Sequence, residues 1–336
     1  MTSKLSKPRE QKRFGAKIPK SYSVIVSPDG SPLFPAWKRP SFLKLEDGTR
    51  RNLNGYKDEV PFAFNDEPYY GGQLQISVNG KRLNTFDYRV LVALHTMAVK
   101  NSIDKASEAM ASRGIDYDSN WSTAISKRGG LVFKCSYAEI CEIMGKANES
   151  YTRKEIAASL YRMFRFSIQI TSIHDGSRKE DISLIERYFW IDKKTGEKVD
   201  ANERYTTNSI IQIELSKYVS NILRGNVIGK PKPIDRYSLS YAHELREFKC
   251  DGTDSLHYYL SSCISQGSKK DIRYETLCPY VWGKDSKRPI HKQVQILKRE
   301  ILPDLVNSEI SAWSYHEDKD NPEKVWISRA PGSGKK

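Results

Sequence analysis

The sequence predicts an α+β fold in which one unit is used twice behind a flexible basic N-terminal arm. The unit is a core helix, a short strand, a short helix, a turn, a second helix and a β-hairpin. Three observations predict it. Two distant segments carry apolar stripes at helical spacing, Ile156, Leu160 and Met163 in one and Ile290, Val294, Leu297 and Ile301 in the other. Each stripe follows a short helix closed by a glycine, with eleven residues from Gly145 to Ile156 and eleven from Gly283 to Val294. Each is followed by segments that read as a hairpin.

Residues 1–70 form a Lys-, Arg-, Pro- and Gly-rich arm and an irregular lead-in. "QLQISVNG" alternates as a strand, and "NTFDYRVLVALHTMAVK" is a helix with Val90, Leu91, Leu94, Met97 and Ala98 on one face. Residues 101–130 are polar and Gly-punctuated and read as a long loop. "LVFKC" is a strand. "SYAEICEIMG" is a helix with Ser136 and Glu139 at capping-box spacing and Gly145 as its stop. "TRKEIAASLYRMF" is the second helix, with Thr152 and Glu155 at the same spacing. "FSIQITSI" turns at Asp175-Gly176 into "DISLIERYFWI"; after a polar loop, 192–208, come the strand "SIIQIEL" and a short helix, "KYVSNIL".

"RGNVIGKPKPID" has no apolar period and marks a boundary, giving an N-terminal domain at 71–224, a linker at 225–235 and a C-terminal domain at 236–330. There "RYSLS" precedes the helix "DSLHYYLSSCIS", a brief strand near Ile272 and the helix "ETLCPYVWG", with Pro279 in its first turn. The second stripe follows, then "EISAWSYH" and "KVWISRA" as a hairpin, and a basic tail at 331–336.

A helix-turn-helix followed by a hairpin is a winged helix, so the reading is two tandem winged-helix domains. The outer face of each second helix is then a candidate to enter a major groove. In the first copy that face carries Lys154, Ala158, Tyr161 and Arg165, the small Ala158 allowing close approach to base edges. In the second it carries Arg288, Lys292, Gln295 and Arg299, flanked by Lys287 and His291. Arg288, Lys292 and Gln295 have the reach for guanine and adenine edges, and Arg299 suits phosphate. The wing-tip residues Arg178 and Lys179 suit phosphate too. A basic face opposite an apolar one is often only a solvated helix. Its occurrence in both halves and the overall charge favour the binding reading. Tyr188, Phe189, Trp190 and Trp313 lie in strands and read as core.

Composition narrows the partner. The chain has 336 residues, 38% hydrophobic and 11% aromatic, enough for packed domains, and a net charge of +14. That balance calls for a polyanion, nucleic acid or an anionic membrane. The membrane reading is weak, because no run of about 18 apolar residues exists. The basic N-terminus also lacks the apolar core of a signal peptide. Five scattered cysteines without a CxxC pair suit reduced thiols in the cytoplasm. Cys263, Cys278, His257 and His291 lack zinc-ligand spacing.

Thr276, Leu277, Cys278, Tyr280, Val281 and Trp282, followed by a basic helix ending at Leu302 to Val306, carry a more specific signal. This run resembles the C-terminal domain of the IncQ-type plasmid replication initiators, the RepC family. Those proteins have a Thr-Leu-Cys-x-Tyr-Val-Trp helix and a Leu-Pro-Glu/Asp-Leu-Val-like close to the next one. The likeness extends more weakly over roughly residues 75–330. The arm, the 101–130 and 192–208 loops and the tail depart from the family's pattern. The resemblance implies winged-helix domains that bind direct repeats (iterons) in double-stranded DNA at a plasmid origin. It also implies local duplex opening and cooperation with a separate replicative helicase and primase. It brings no catalytic residues.

Enzyme readings find little support. "APGSGKK" lacks the first Gly and the final Ser/Thr of a phosphate loop. The six histidines contain no His-hydrophobic-His pair for a relaxase. Glu317, Asp318 and Asp320 are interrupted by Lys319 in a hairpin turn. The expectation is a non-enzymatic DNA-binding protein without cofactor or metal. A transcriptional repressor of the same fold is the alternative, and a DNA-processing enzyme is remote.

Overall fold

The computed structural model describes residues 16–19, 42–44, 50–52, 61–69, 74–81, 83–111, 123–125, 130–172, 178–191, 195–196, 198–200, 210–216, 219, 237–283, 286–307 and 311–331. Four strands lie in the stretch expected to be an arm and lead-in: β1 (Ala16–Pro19), β2 (Phe42–Lys44), β3 (Arg50–Asn52) and β4 (Pro61–Tyr69). β2 and β3 pair with each other, and β4 pairs antiparallel with β5 (Leu74–Lys81). β1 pairs far along the chain, Ala16 opposite Ser240 and Pro19 opposite Tyr237. Such pairings leave no local period to read, because the partner strand supplies the hydrogen bonds.

Helix α1 (Thr85–Ala111) opens on a reciprocal cap. The Asn84 N–H donates to Asp87 Oδ2 at 2.8 Å, and the Asp87 N–H donates to Asn84 Oδ1 at 3.1 Å. The expected 101–130 loop is therefore helical as far as Ala111, since no Gly or Pro occurs before Gly114, and it also contains β6 (Thr123–Ile125). Val90, Leu91, Val92, Ala93 and Leu94 are all fully buried, which puts α1 at the centre of the core.

β7 (Leu131–Cys135), α2 (Tyr137–Met144) and α3 (Ser150–Phe164) follow. The hairpin after them is β8 (Ser167–Ser172) with β9 (Arg178–Ser183). The expected second strand of that hairpin is in fact two. The chain leaves β9 at Ser183, buries Leu184 and Ile185 completely, and starts β10 (Arg187–Ile191) in another sheet. With β11 (Lys198–Asp200) and β12 (Ile210–Glu214), the two sheets run β4-β5-β8-β9 and β11-β10-β12-β7-β6, all antiparallel. The linker at 225–235 and most of the short helix expected at 217–223 lie outside the described residues.

The second half contains β13 (Tyr237–Ser240), α4 (Ala242–Glu247), α5 (Asp251–Cys263) and β14 (Lys269–Arg273). The expected helix over "ETLCPYVWG" is two short ones, α6 (Tyr274–Leu277) and α7 (Pro279–Trp282), divided at Cys278 where the prolyl nitrogen cannot donate. α8 (Ile290–Ile296) passes through a π turn, Leu297–Ile301, into α9 (Leu302–Val306). Pro303 accounts for that turn. It has no N–H for the ordinary i−4 bond, and the Leu302 N–H reaches back to the Leu297 carbonyl instead. β15 (Trp313–Glu317) and β16 (Lys324–Arg329) complete a sheet of order β14-β16-β15. The halves thus share their element order but not their sheets: β14 joins its own hairpin, whereas β7 joins β12 and β6.

A seam of polar pairs fastens the halves together. Tyr88 Oη lies 2.8 Å from Ser240 Oγ and 3.2 Å from His257 Nδ1, and Arg89 Nε donates to Asp254 Oδ2 at 2.8 Å. Arg246 of α4 donates to the carbonyls of Glu142 and Ile143 at the end of α2. Apolar side chains from both halves form one continuous core. Among the described residues no helix is long and apolar enough to cross a membrane.

Candidate nucleic-acid interface

In the first half the short helix is closely defined at both ends. The Ser136 N–H donates to Glu139 Oε2 at 2.7 Å, and Ser136 Oγ accepts from the Glu139 N–H at 3.3 Å. At the other end Gly145 adopts φ 65°; its N–H donates to Glu142 O, and the Lys146 N–H to Cys141 O. That is a Schellman stop, which turns the chain tightly before α3. The second expected capping box is absent. α3 starts at Ser150 without a side-chain cap, and Glu155 instead accepts from Arg162 Nη2 at 3.1 Å.

α3 is held from within. Ile156, Leu160 and Met163 are fully buried, and among the described residues Arg162 is the largest of the fully buried side chains. Arg162 donates from Nη2 to Asp87 Oδ1 at 2.7 Å and from Nε at 2.9 Å, tying α3 to the first turn of α1. At its far end, Gly80 of β5 lies so close that a Cβ there would fall 2.5 Å from the Arg165 carbonyl oxygen. These contacts leave Lys154 and Arg165 exposed and Tyr161 half-buried, with the Arg165 guanidinium 6.0 Å from the Tyr161 ring centre.

Ala158 does not lie on the open face. It is only 4% exposed, although it stands outside the main core cluster, so its short side chain is covered by neighbours rather than offered to a ligand. Tyr151, in the first turn and 77% exposed, is an outward residue the apolar period gave no reason to select. Arg178 and Lys179 open β9, Arg178 opposite Thr171; the register slips there, so Lys179 is the extra residue of the strand. Their side chains lie outside the described residues.

The second half presents its candidates together. Lys287, Arg288, His291, Lys292, Gln295 and Arg299 are all exposed along α8, its approach and the π turn. The inward line differs from the expected stripe at its start. Ile290 is 44% exposed because the helix begins with it, ahead of the core, and Gln293 takes the inward place at 5%. Leu297 and Ile301 are buried and Val294 partly so. Arg299 falls within the π turn, so it is rotated from the place an unbroken helix would give it. The second hairpin has an acidic tip: Lys298 binds Glu317 at 3.1 Å, and with Tyr274 holds that carboxyl below its usual range. In this half the exposed positive charge lies along the helix rather than at the hairpin tip. Cys263, Cys278, His257 and His291 are not gathered into a metal cluster among the described residues.

The seam has its own electrostatics. Burial lowers the His257 pKa, leaving a neutral ring whose Nε2–H donates to Glu244 Oε2 at 3.1 Å. Nδ1 then accepts from the Tyr88 hydroxyl. Burial raises Asp254 to about 7 despite Arg89 beside it.

Solved structures with slight likeness include two of RctB domains 2 and 3. These are 14% and 12% identical, with TM-scores of 0.48 and 0.49, each covering 89% of this chain and 94% of that one. A third, the Pi initiator protein in complex with iteron DNA, is 14% identical with a TM-score of 0.40, covering 73% of this chain and 93% of that one. No curated protein matches the sequence. The family pattern of replication protein C (RepC), by contrast, matches residues 65–325, which include both second helices, the seam and most of the second hairpin. The chain belongs to the replication protein C family.

Proposed function

We propose that this chain initiates plasmid replication by binding directly repeated double-stranded DNA at an origin through two winged-helix domains, residues 71–224 and 236–330. The observation that carries the reading is the row of six exposed polar and basic side chains from Lys287 to Arg299 on a helix whose opposite side is locked into the core. Membership in a family of replication proteins and the net charge of +14 support it. α3 is the second reading helix, with Lys154, Tyr161 and Arg165 outward, and the basic residues Arg178 and Lys179 on its hairpin are suited to phosphate.

Two reading helices on one face of the duplex sit about one turn (~10.5 bp) apart, so each repeat spans roughly two turns. With about eight phosphate contacts, log K falls against log[salt] with a slope near roughly −7. Several bound copies open adjacent A·T-rich DNA without ATP by bending or underwinding it. That deformation costs on the order of 1–6 kcal/mol and is offset by added contacts. The protein is not itself an enzyme in this reading. It acts in the cytoplasm and hands the opened duplex to a helicase and primase.

Fluorescence anisotropy with direct repeats from the DNA around the gene, against a scrambled duplex, tests the binding. Equal, salt-labile affinity for both duplexes would remove the initiator reading, and tight binding to a lone palindrome would favour a repressor. Permanganate reactivity beside the repeats that stays flat as protein is added would rule out opening.

A further inference from the structure

Arg288, two residues ahead of α8, has both its side chain and its main chain held by neighbours. Its guanidinium carbon lies 5.6 Å from the centre of the Trp282 ring, at the end of α7. Its carbonyl accepts from Gln293 Nε2 at 2.6 Å, and Gln293 is a buried amide where the helical period calls for an apolar residue. Gly283, at φ 83°, follows Trp282 directly, which lets the chain leave α7 and return Arg288 across the ring. Trp282 is itself packed against the core and so offers a fixed surface.

A guanidinium on an indole face is restrained to a plane yet keeps donors at its edge, which suits paired donation to guanine O6 and N7. Lysine cannot reproduce that geometry. A buried glutamine whose amide is directed at a neighbouring carbonyl fixes where the side chain starts. We propose that Trp282 and Gln293 are positioning residues that hold Arg288 ready to read one base pair, so that this position contributes specificity rather than general affinity. The proposal rests on the DNA-binding reading above.

The test is competition anisotropy with the repeat duplex, a set of duplexes each changed at one base pair, and a scrambled duplex. Arg288→Ala should relax discrimination at one base pair. Trp282→Phe and Gln293→Met should each relax the same base pair by about threefold, leave scrambled-duplex affinity unchanged, and add nothing in the Arg288→Ala background. Loss at other base pairs, or equal weakening on scrambled DNA, would overturn the positioning role. So would an unchanged profile in both variants, or wild-type specificity with no base pair relaxed by Arg288→Ala. If the wild-type protein does not distinguish repeat from scrambled duplex, the DNA-reading assignment itself falls, and the positioning role with it. Trp282→Phe retains an aromatic ring and Gln293→Met the side-chain volume, so a fold defect in one leaves the other as the arbiter.

Discussion

The guanidinium of Arg162, 2% exposed, meets the fully buried carboxylate of Asp87 at 2.7 Å and thereby joins the last turn of α3 to the first turn of α1. Asp87 already accepts the Asn84 N–H that caps α1, so one carboxylate sets both the start of the core helix and the seat of α3. The second half uses the reverse polarity. Asp304 of α9 accepts from the Lys249 and Cys250 N–H groups and the Thr253 hydroxyl around the start of α5. In both halves a buried acid ties a core helix to the helix that follows the turn.

Arg162→Met should therefore destabilise the protein by about 3–5 kcal/mol, because Asp87 would stay buried without its cation. Asp87→Asn added to it keeps an acceptor for the Asn84 N–H and should restore most of the loss. Urea denaturation of the single and double variants measures this. A double variant no more stable than Arg162→Met would assign the effect to packing rather than to charge.

Gly145 and Gly196 form a matched pair. Both have positive φ, 65° and 71°, but a Cβ at Gly145 would meet the Arg246 side chain at 2.8 Å, while at Gly196 nothing lies within 4 Å. Gly196→Ala should cost about 1 kcal/mol of backbone strain. Gly145→Ala should cost more, since it also displaces the arginine that closes the end of α2 from the other half. Equal urea midpoints for the two variants would show that Arg246 moves aside freely.

What could be read in the sequence was whatever had a local period or a local cap. Ser136 with Glu139, Gly145 as a stop, and Ile156, Leu160 and Met163 as an inward stripe need only neighbours in the chain, and all three are found. What could not be read depends on distant partners. β1 finds Tyr237–Ser240, and β7 leaves its own hairpin for β12. Ala158 falls on the outward side by count yet is covered by its surroundings. The π turn ahead of Pro303 interrupts the even spacing from Arg288 to Arg299. The pairing of Arg162 with Asp87 joins residues 75 apart in the chain, which no local period marks.

Asp254 gives the seam a pH dependence. Its carboxyl is fully buried, and Oδ1 has no hydrogen-bond partner among the described residues, so burial outweighs Arg89 and raises its pKa from 3.8 to about 7. Between those values the folded state holds a proton that the unfolded chain has released. The contribution of Asp254 to stability is thus full below the lower value, declines as pH rises, and levels off above about 7. His257, whose pKa burial lowers, acts in the opposite sense. Comparison with Asp254→Asn isolates the acid: wild type should lose stability relative to the variant as pH rises from about 4 to about 7, on the order of a few kcal/mol. Parallel stability curves would place the ionised carboxylate at no disadvantage in the seam.

Ala158 and Gln295 should respond oppositely to enlargement and truncation. Ala158→Gln places a longer side chain where the alanine is already covered and should cost about 1–3 kcal/mol by overpacking. Gln295→Ala removes an exposed side chain and should leave the melting temperature within about a degree. If Ala158→Gln melts like wild type, the cover over that position is loose, and Ala158 regains its place on the outward face of α3.

The salt dependence of binding separates phosphate contacts from base contacts. A side chain that neutralises a phosphate releases about one condensed counterion, so each such contact adds close to 0.9 to the slope of log K against log[salt]. Lys154 and Lys292 are exposed cations on α3 and α8, the two helices proposed to read DNA, and Gln295 is uncharged. Lys154→Ala and Lys292→Ala should each flatten the slope by up to about 0.9 if they meet phosphate, on repeat and scrambled duplex alike. Gln295→Ala should leave the slope unchanged and weaken only the repeat. Because the second hairpin tip is acidic and held by Lys298, replacing Glu317 or Asp318 by Gln or Asn should not steepen the slope. A steeper slope there would bring the wing against the backbone, and the second half would then read DNA with its hairpin as well as with its helix.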